Sequence, residues 1–255
     1  MPSVNRPDVL AAIYRATSNL ITNGSIPSTI VSHSHTIFRS VGNRYLPKPS
    51  TGGHVSRHMA NQALMPRDGS SETNNRFSGP SYDAAIPAAA GLYCVMQQQA
   101  LVNEVRHYSQ KPGHTAFADK CVLKIRLMSS VNCADLSPHN PGHAQFLNAL
   151  YNAPGIRQIL AKGAPPGVRV DLWNEITSGT DCSVARGIGL AVANSMYHGL
   201  IAETVRDSER SVEEKGDNLI LYGERMKGHS LLWVEEALFF DQGANSVEIF
   251  PVEFP

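Results

Sequence analysis

The sequence has no surplus of either charge, since 22 lysines and arginines stand against 22 aspartates and glutamates. Without a basic stripe or tail, a chain has no general grip on a phosphate backbone, so nucleic-acid binding is not expected. One or two arginines can still build a local anion site. Long apolar runs are missing as well. The longest, such as Ala84 to Val95, are short and broken, which excludes a membrane span. The start, from Met1 to Pro7, lacks the apolar core of a signal peptide, and a cytoplasmic protein is expected. The cysteines Cys94, Cys121, Cys133 and Cys182 form no CxxC pair and lie in or near apolar stretches. They are expected as buried free thiols in a reducing compartment. Two disulfides would need an export signal.

Several catalytic signatures are also absent. There is no GxxxxGK[ST] phosphate loop, no GxSxG elbow and no HExxH. Gly187-Ile188-Gly189 lacks the dinucleotide-binding spacing. His33, His35, His54 and His58 gather in one stretch, and His54 and His58 are four apart. No nearby acidic residue or cysteine completes a ligand set, so no metal is expected.

What is present is enough apolar material for one sizeable core: 42% of the residues are hydrophobic and 17% charged. One domain over residues 1–255 is expected, with a long loop or insertion at about 26–75. That stretch is rich in Ser, His, Gly, Pro and Asn, with turn signals at Pro47–Gly53 and Asp68–Ser71. Before it, Asp8–Thr17 reads as a helix opened by Pro7 and Asp8, or as a strand from Ile13. Gly91–Val95 reads as a buried strand, Gln97–His107 as a helix and Cys121–Met128 as an alternating strand. Short helices are expected at Phe146–Tyr151 and Gly155–Leu160, a strand at Val168–Trp173 and a helix at Cys182–His198. Further strands are expected at Leu200–Val205, Asn218–Gly223, Ser230–Val234 and Val247–Phe250. The parallel βαβ rhythm is missing, so the class is α+β with one mixed or antiparallel core sheet.

Three groups of segments carry a resemblance. They are Ile13-Tyr14-Arg15-Ala16, then Asn75-Arg76-Phe77-Ser78 with Gly91-Leu92-Tyr93 and Ala100–Val105, then Val205–Arg210 with Gly216–Tyr222. In this order they resemble the RES-domain family, whose members are typically toxins paired with an antitoxin. The resemblance implies an ADP-ribosyltransferase-like fold with flanking helices and consumption of NAD+. By residue it points to Arg15, Arg76, Tyr93, Glu104 and Ser208. Asn74 and Asn75 stand where the family carries two glycines, and Arg15 and Arg76 are further apart than the family's two arginines.

The resemblance implies chemistry that suits these side chains. A guanidinium grips a pyrophosphate bidentately, which assigns NAD+ binding to Arg15 and Arg76. Tyr93 offers a ring face for nicotinamide, and Ser208 a hydroxyl for a ribose or a phosphate. Breaking the nicotinamide–ribose bond builds oxocarbenium-like charge, which a carboxylate at Glu104 favours. Water, phosphate and a protein side chain all remain open as acceptors, giving a glycohydrolase, a phosphorylase or an ADP-ribosyltransferase. The expected partners are NAD+ and a neutralising antitoxin or immunity protein. The other reading is a noncatalytic interaction module on the same scaffold, with Arg15 and Arg76 as solvated surface groups, Tyr93 as a core tyrosine, Glu104 as an outward-facing helix residue and Ser208 as a turn cap.

Overall fold

Pro7 supplies a preset φ at the first turn and Asp8 sits where the helix dipole favours a negative charge. The chain accordingly enters helix α1, Pro7–Thr22. Val9, Leu10, Ile13, Ala16 and Thr17 are buried along one side, a helical spacing that settles this segment against the strand reading. The computed structural model describes residues 6–65, 76–81, 83–109, 119–162, 170–177, 182–203, 216–223, 231–240 and 247–253.

Among the described residues the strands, in chain order, are β1 Ser28–Val31, β2 Thr36–Gly42, β3 Gly91–Val95, β4 Lys120–Leu127, β5 Val131–Asp135, β6 Gly199–Glu203, β7 Asp217–Tyr222, β8 Leu232–Phe240 and β9 Val247–Pro251. The other helices are α2 Arg57–Ala63, α3 Gln98–Ser109, α4 His143–Asn152, α5 Ile156–Ala161, α6 Leu172–Thr177 and α7 Ser183–Ala193. The class is α+β with a mixed sheet, as expected. The strands run β1-β5-β6-β7-β3-β2-β4-β8-β9 across the sheet. Among these described strands β5 and β6 pair in parallel and the other neighbouring pairs are antiparallel.

Two readings of the sequence are corrected. Of the long loop or insertion expected at about 26–75, the described residues 26–65 are not simply a loop, because they hold β1, β2 and α2. Of the strand expected at Val168–Trp173, the described residues 170–173 form none. Residues 163–169 lie outside the described residues, and the chain is helical from Leu172, where Asp171 Oδ1 accepts the Trp173 and Asn174 amides at 2.9 and 3.3 Å. A short polar side chain that captures amides in this way starts a helix whatever its neighbours prefer.

The sheet is not evenly joined. β3 and β7 share five paired positions, and β2 and β4 share seven. β2 and β3 share one, Phe38 with Val95. The sheet therefore divides there into β1-β5-β6-β7-β3 and β2-β4-β8-β9. Both halves turn alternate residues toward one shared core, which includes Leu92, Leu219, Ile37, Leu123 and Phe239. On the opposite face the cover changes at the division. Ile220, Tyr222 and the ring of Tyr93 pack with α1, α4, α5, α6 and α7, whereas Phe38, Val95 and Val122 pack under Ala100, Leu101 and Val105 of α3. Cys94, Cys121, Cys133 and Cys182 are buried and free.

Candidate functional site

β3 ends at the division, and its Tyr93 organises the neighbourhood. The Tyr93 hydroxyl accepts the Phe77 amide at 2.8 Å and lies 3.4 Å from Ser78 Oγ. From β7, the Tyr222 hydroxyl donates to the Phe77 carbonyl at 3.3 Å. Phe77 is thus held by both its backbone groups, through two tyrosines on adjacent strands. Arg76, half-buried, is the residue just before it. Two residues further on, Gly79 bridges to Ala89, donating its amide to the Ala89 carbonyl at 2.8 Å.

Helix α7 backs this clamp with its glycines. A Cβ on Gly189 would overlap the Phe77 carbonyl, and a Cβ on Gly187 would lie 2.8 Å from the Leu10 carbonyl of α1. Residues two apart on a helix point about 200° away from each other. Helix α7 therefore stands between α1 and the Phe77 segment. The Gly-Ile-Gly run serves helix packing, with no phosphate loop around it.

Burial dominates the acid–base character of the tyrosines. It pushes the Tyr93 phenol up to about 12, against smaller opposing effects from Ser78, the Phe77 amide and Arg186. Burial likewise raises the Tyr222 phenol well above its ordinary value. Both are neutral hydroxyls near neutral pH, suited to hold backbone in place and unsuited to take a proton.

At the other end of Tyr93, Arg39 spans the division. Its Nη1 donates to the Tyr93 carbonyl at 3.0 Å and its Nε to the Ala63 carbonyl of α2 at 3.2 Å. Where β2 and β3 part, a ladder partner is missing, and a guanidinium takes its place. The sequence reading missed Arg39. The run Thr36-Ile37-Phe38-Arg39-Ser40-Val41 is β-prone, but the carbonyls that Arg39 binds, on β3 and α2, are set by the fold alone.

The β7 segment also meets α3. The Asp217 amide donates to Gln97 Oε1 at 2.9 Å, and the Met96 amide donates to the Asp217 carbonyl at 2.9 Å. A Cβ on Gly216 would lie 2.6 Å from Ala100 Cβ, so glycine permits this approach. Burial raises the Asp217 carboxyl above its ordinary value, with a Ser137 hydrogen bond opposing it and Asp135 reinforcing it.

The fold thus draws together the segments around Arg76, Tyr93, α3 and Gly216–Tyr222, which are far apart in sequence. The backbone of Glu104 lies in α3, at the division, while its side chain lies outside the described residues. Ser208 lies outside the described residues too. Arg15 is exposed on α1, beyond α7 from the Phe77 clamp. Among the described residues no group of three or more histidine, cysteine or acidic side chains is placed to hold a metal. Nor is any described helix long and apolar enough to cross a membrane.

Neither a protein-family model nor a curated protein matches the sequence. Among solved structures, a chain of the M. tuberculosis MbcT-MbcA toxin-antitoxin complex has the same fold. The two superpose with a TM-score of 0.52 over 91% of this chain and 93% of that one, at 14% sequence identity.

Proposed function

We propose that this protein consumes NAD+ by cleaving the nicotinamide–ribose bond at the division between β2 and β3, and that it acts as a toxin held in check by a protein antitoxin. The carrying observation is the clamp on Phe77, in which segments carrying the RES resemblance close around Tyr93 and α3. The fold shared with a chain solved in a toxin-antitoxin complex supports the biological setting.

In this reading Arg76, beside the Tyr93 hydroxyl, supplies a guanidinium suited to a pyrophosphate, while Arg39, on the Ile37 face of the sheet with α2, holds the Tyr93 backbone from the other side. Arg15, exposed on α1 beyond α7, has no part in this reading. Tyr93 offers its ring to nicotinamide and keeps its proton. Glu104, from α3, stabilises the positive charge that develops at the ribose C1′ as the bond to nicotinamide breaks. The bonding electrons leave with the nicotinamide nitrogen, and the acceptor oxygen or side chain forms the new bond to C1′. Ser208 holds a ribose hydroxyl or phosphate oxygen. No metal is needed, because the leaving group departs neutral.

The test is NAD+ loss by the purified protein, with and without phosphate, beside Glu104→Gln. Turnover by the parent that disappears in a folded variant supports the reading, and dependence on phosphate identifies the acceptor. Full turnover in Glu104→Gln removes Glu104 from the chemistry. An inert parent under both conditions leaves transfer to a protein target, tested by label transfer from NAD+ into a cell extract. An inert result there too returns the noncatalytic module.

A further inference from the structure

The clamp on Phe77 has a third component that neither strand supplies. Arg186 of α7 is 6% exposed and is the one basic residue among the buried polar and charged groups described. Burying a guanidinium carries a desolvation cost that packing alone does not return. Its location is specific. One turn before Gly189, it shares the side of α7 that faces the Phe77 segment. Its Nε lies 3.6 Å, and its guanidinium carbon 3.9 Å, from where a Cβ on Gly79 would stand. Gly79 itself has φ +127°, a conformation that a side chain would strain. Arg186 is also close enough to the Tyr93 hydroxyl for its charge to favour the phenolate. The guanidinium therefore lies against Gly79 and near the Tyr93 hydroxyl, beside the segment that begins with Arg76.

From this we infer that Arg186 is a positioning residue. It holds the 77–79 backbone against Tyr93 and thereby sets the angle at which Arg76 enters the site. It is too enclosed to touch NAD+ and acts through Arg76. The inference rests on the reading of Arg76 as a pyrophosphate ligand. It predicts a specific kinetic division: loss of Arg186 weakens binding of a pyrophosphate-bearing substrate and leaves the bond-breaking step intact, since Glu104 lies on a different element.

The experiment compares the parent with Arg186→Met and Arg186→Lys, by two readouts. One is hydrogen exchange at the Phe77 and Gly79 amides, followed by NMR on the whole protein. The other is the split between KM and kcat for NAD+. In Arg186→Met, exchange at those two amides accelerates while the β3 and β7 amides keep their protection. KM rises by roughly tenfold with kcat within about twofold, the pattern of lost ground-state binding. Arg186→Lys, which keeps the charge, recovers part of both effects and stands in if the methionine variant does not fold. Unchanged exchange at Phe77 and Gly79 in a folded variant overturns the inference, as does a fall in kcat at constant KM. A parent that leaves NAD+ intact removes the substrate reading and with it the kinetic arm. Faster exchange at the two amides would then keep Arg186 as the holder of the segment.

Discussion

Gly189 of α7 rests directly on the carbonyl of Phe77, so closely that no other residue fits there without moving one of them. Helix and loop are packed backbone to backbone at this point. Gly189→Ala is expected to cost about 1–3 kcal/mol, the usual scale of core overpacking. Urea denaturation followed by circular dichroism measures this. An unchanged midpoint would mean that the Phe77 segment yields freely and is no clamp.

Removing the Tyr93 hydroxyl leaves the Phe77 amide without its acceptor. Tyr93→Phe is expected to cost about 1–3 kcal/mol, the range for a buried donor left unsatisfied. Tyr222→Phe removes the longer bond, 3.3 Å against 2.8 Å, and is expected to cost less. Equal midpoints for the two variants would contradict the order of bond strengths.

Arg39 and Arg15 make opposite predictions. Arg39→Met breaks the link across the division and strands the Tyr93 and Ala63 carbonyls, with a loss of about 1.5–3 kcal/mol for each charged hydrogen bond removed. Arg15→Ala is expected to change stability by no more than about 0.5 kcal/mol, as exposed substitutions do, and to leave NAD+ turnover unchanged. Loss of turnover on substituting Arg15 would restore it to the site.

Stability should fall on the alkaline side. Burial raises Tyr93 from 10.0 to about 12, and Cys94, Cys121 and Cys133 from 9.0 to about 12. The folded state therefore keeps protons that the unfolded chain gives up near pH 9 to 10. Their contribution to stability is complete below pH 9 and is lost as pH rises toward 12. Denaturation midpoints across pH 7–11 should be level at first and then drop. A rising midpoint above pH 9 would be incompatible with these buried thiols and phenol.

The sequence was most readable where a single rule governed. β4 and α7 were found from periodicity, and β3 from its run Gly-Leu-Tyr-Cys-Val. It was least readable where a tertiary contact decides. β2 lies in a stretch whose glycines, serines and histidines signal turns, and it becomes a strand because β4 offers seven partners. β5, Val-Asn-Cys-Ala-Asp, has no alternation to detect because both its faces are covered. Within the site, Tyr93 and Arg76 could be singled out by their neighbours in sequence. Arg39 could not, because its value comes from where β2 leaves β3, and that departure is not written in either strand alone.

The division of the sheet also fixes the order in which the molecule can be made. Numbered along the chain, β1, β3, β5, β6 and β7 belong to one half and β2, β4, β8 and β9 to the other. The chain passes between the halves repeatedly, so neither half is a contiguous fragment. A nascent chain that stops short of β8 leaves the whole edge of β4 bare, with Val122, Leu123 and Ile125 lacking their cover. Neither half is therefore complete before its last strand, β7 for one and β9 for the other, has been made. The partners of the arginine bridge all lie between residues 39 and 93, whereas the tyrosine clamp waits for Tyr222 of β7.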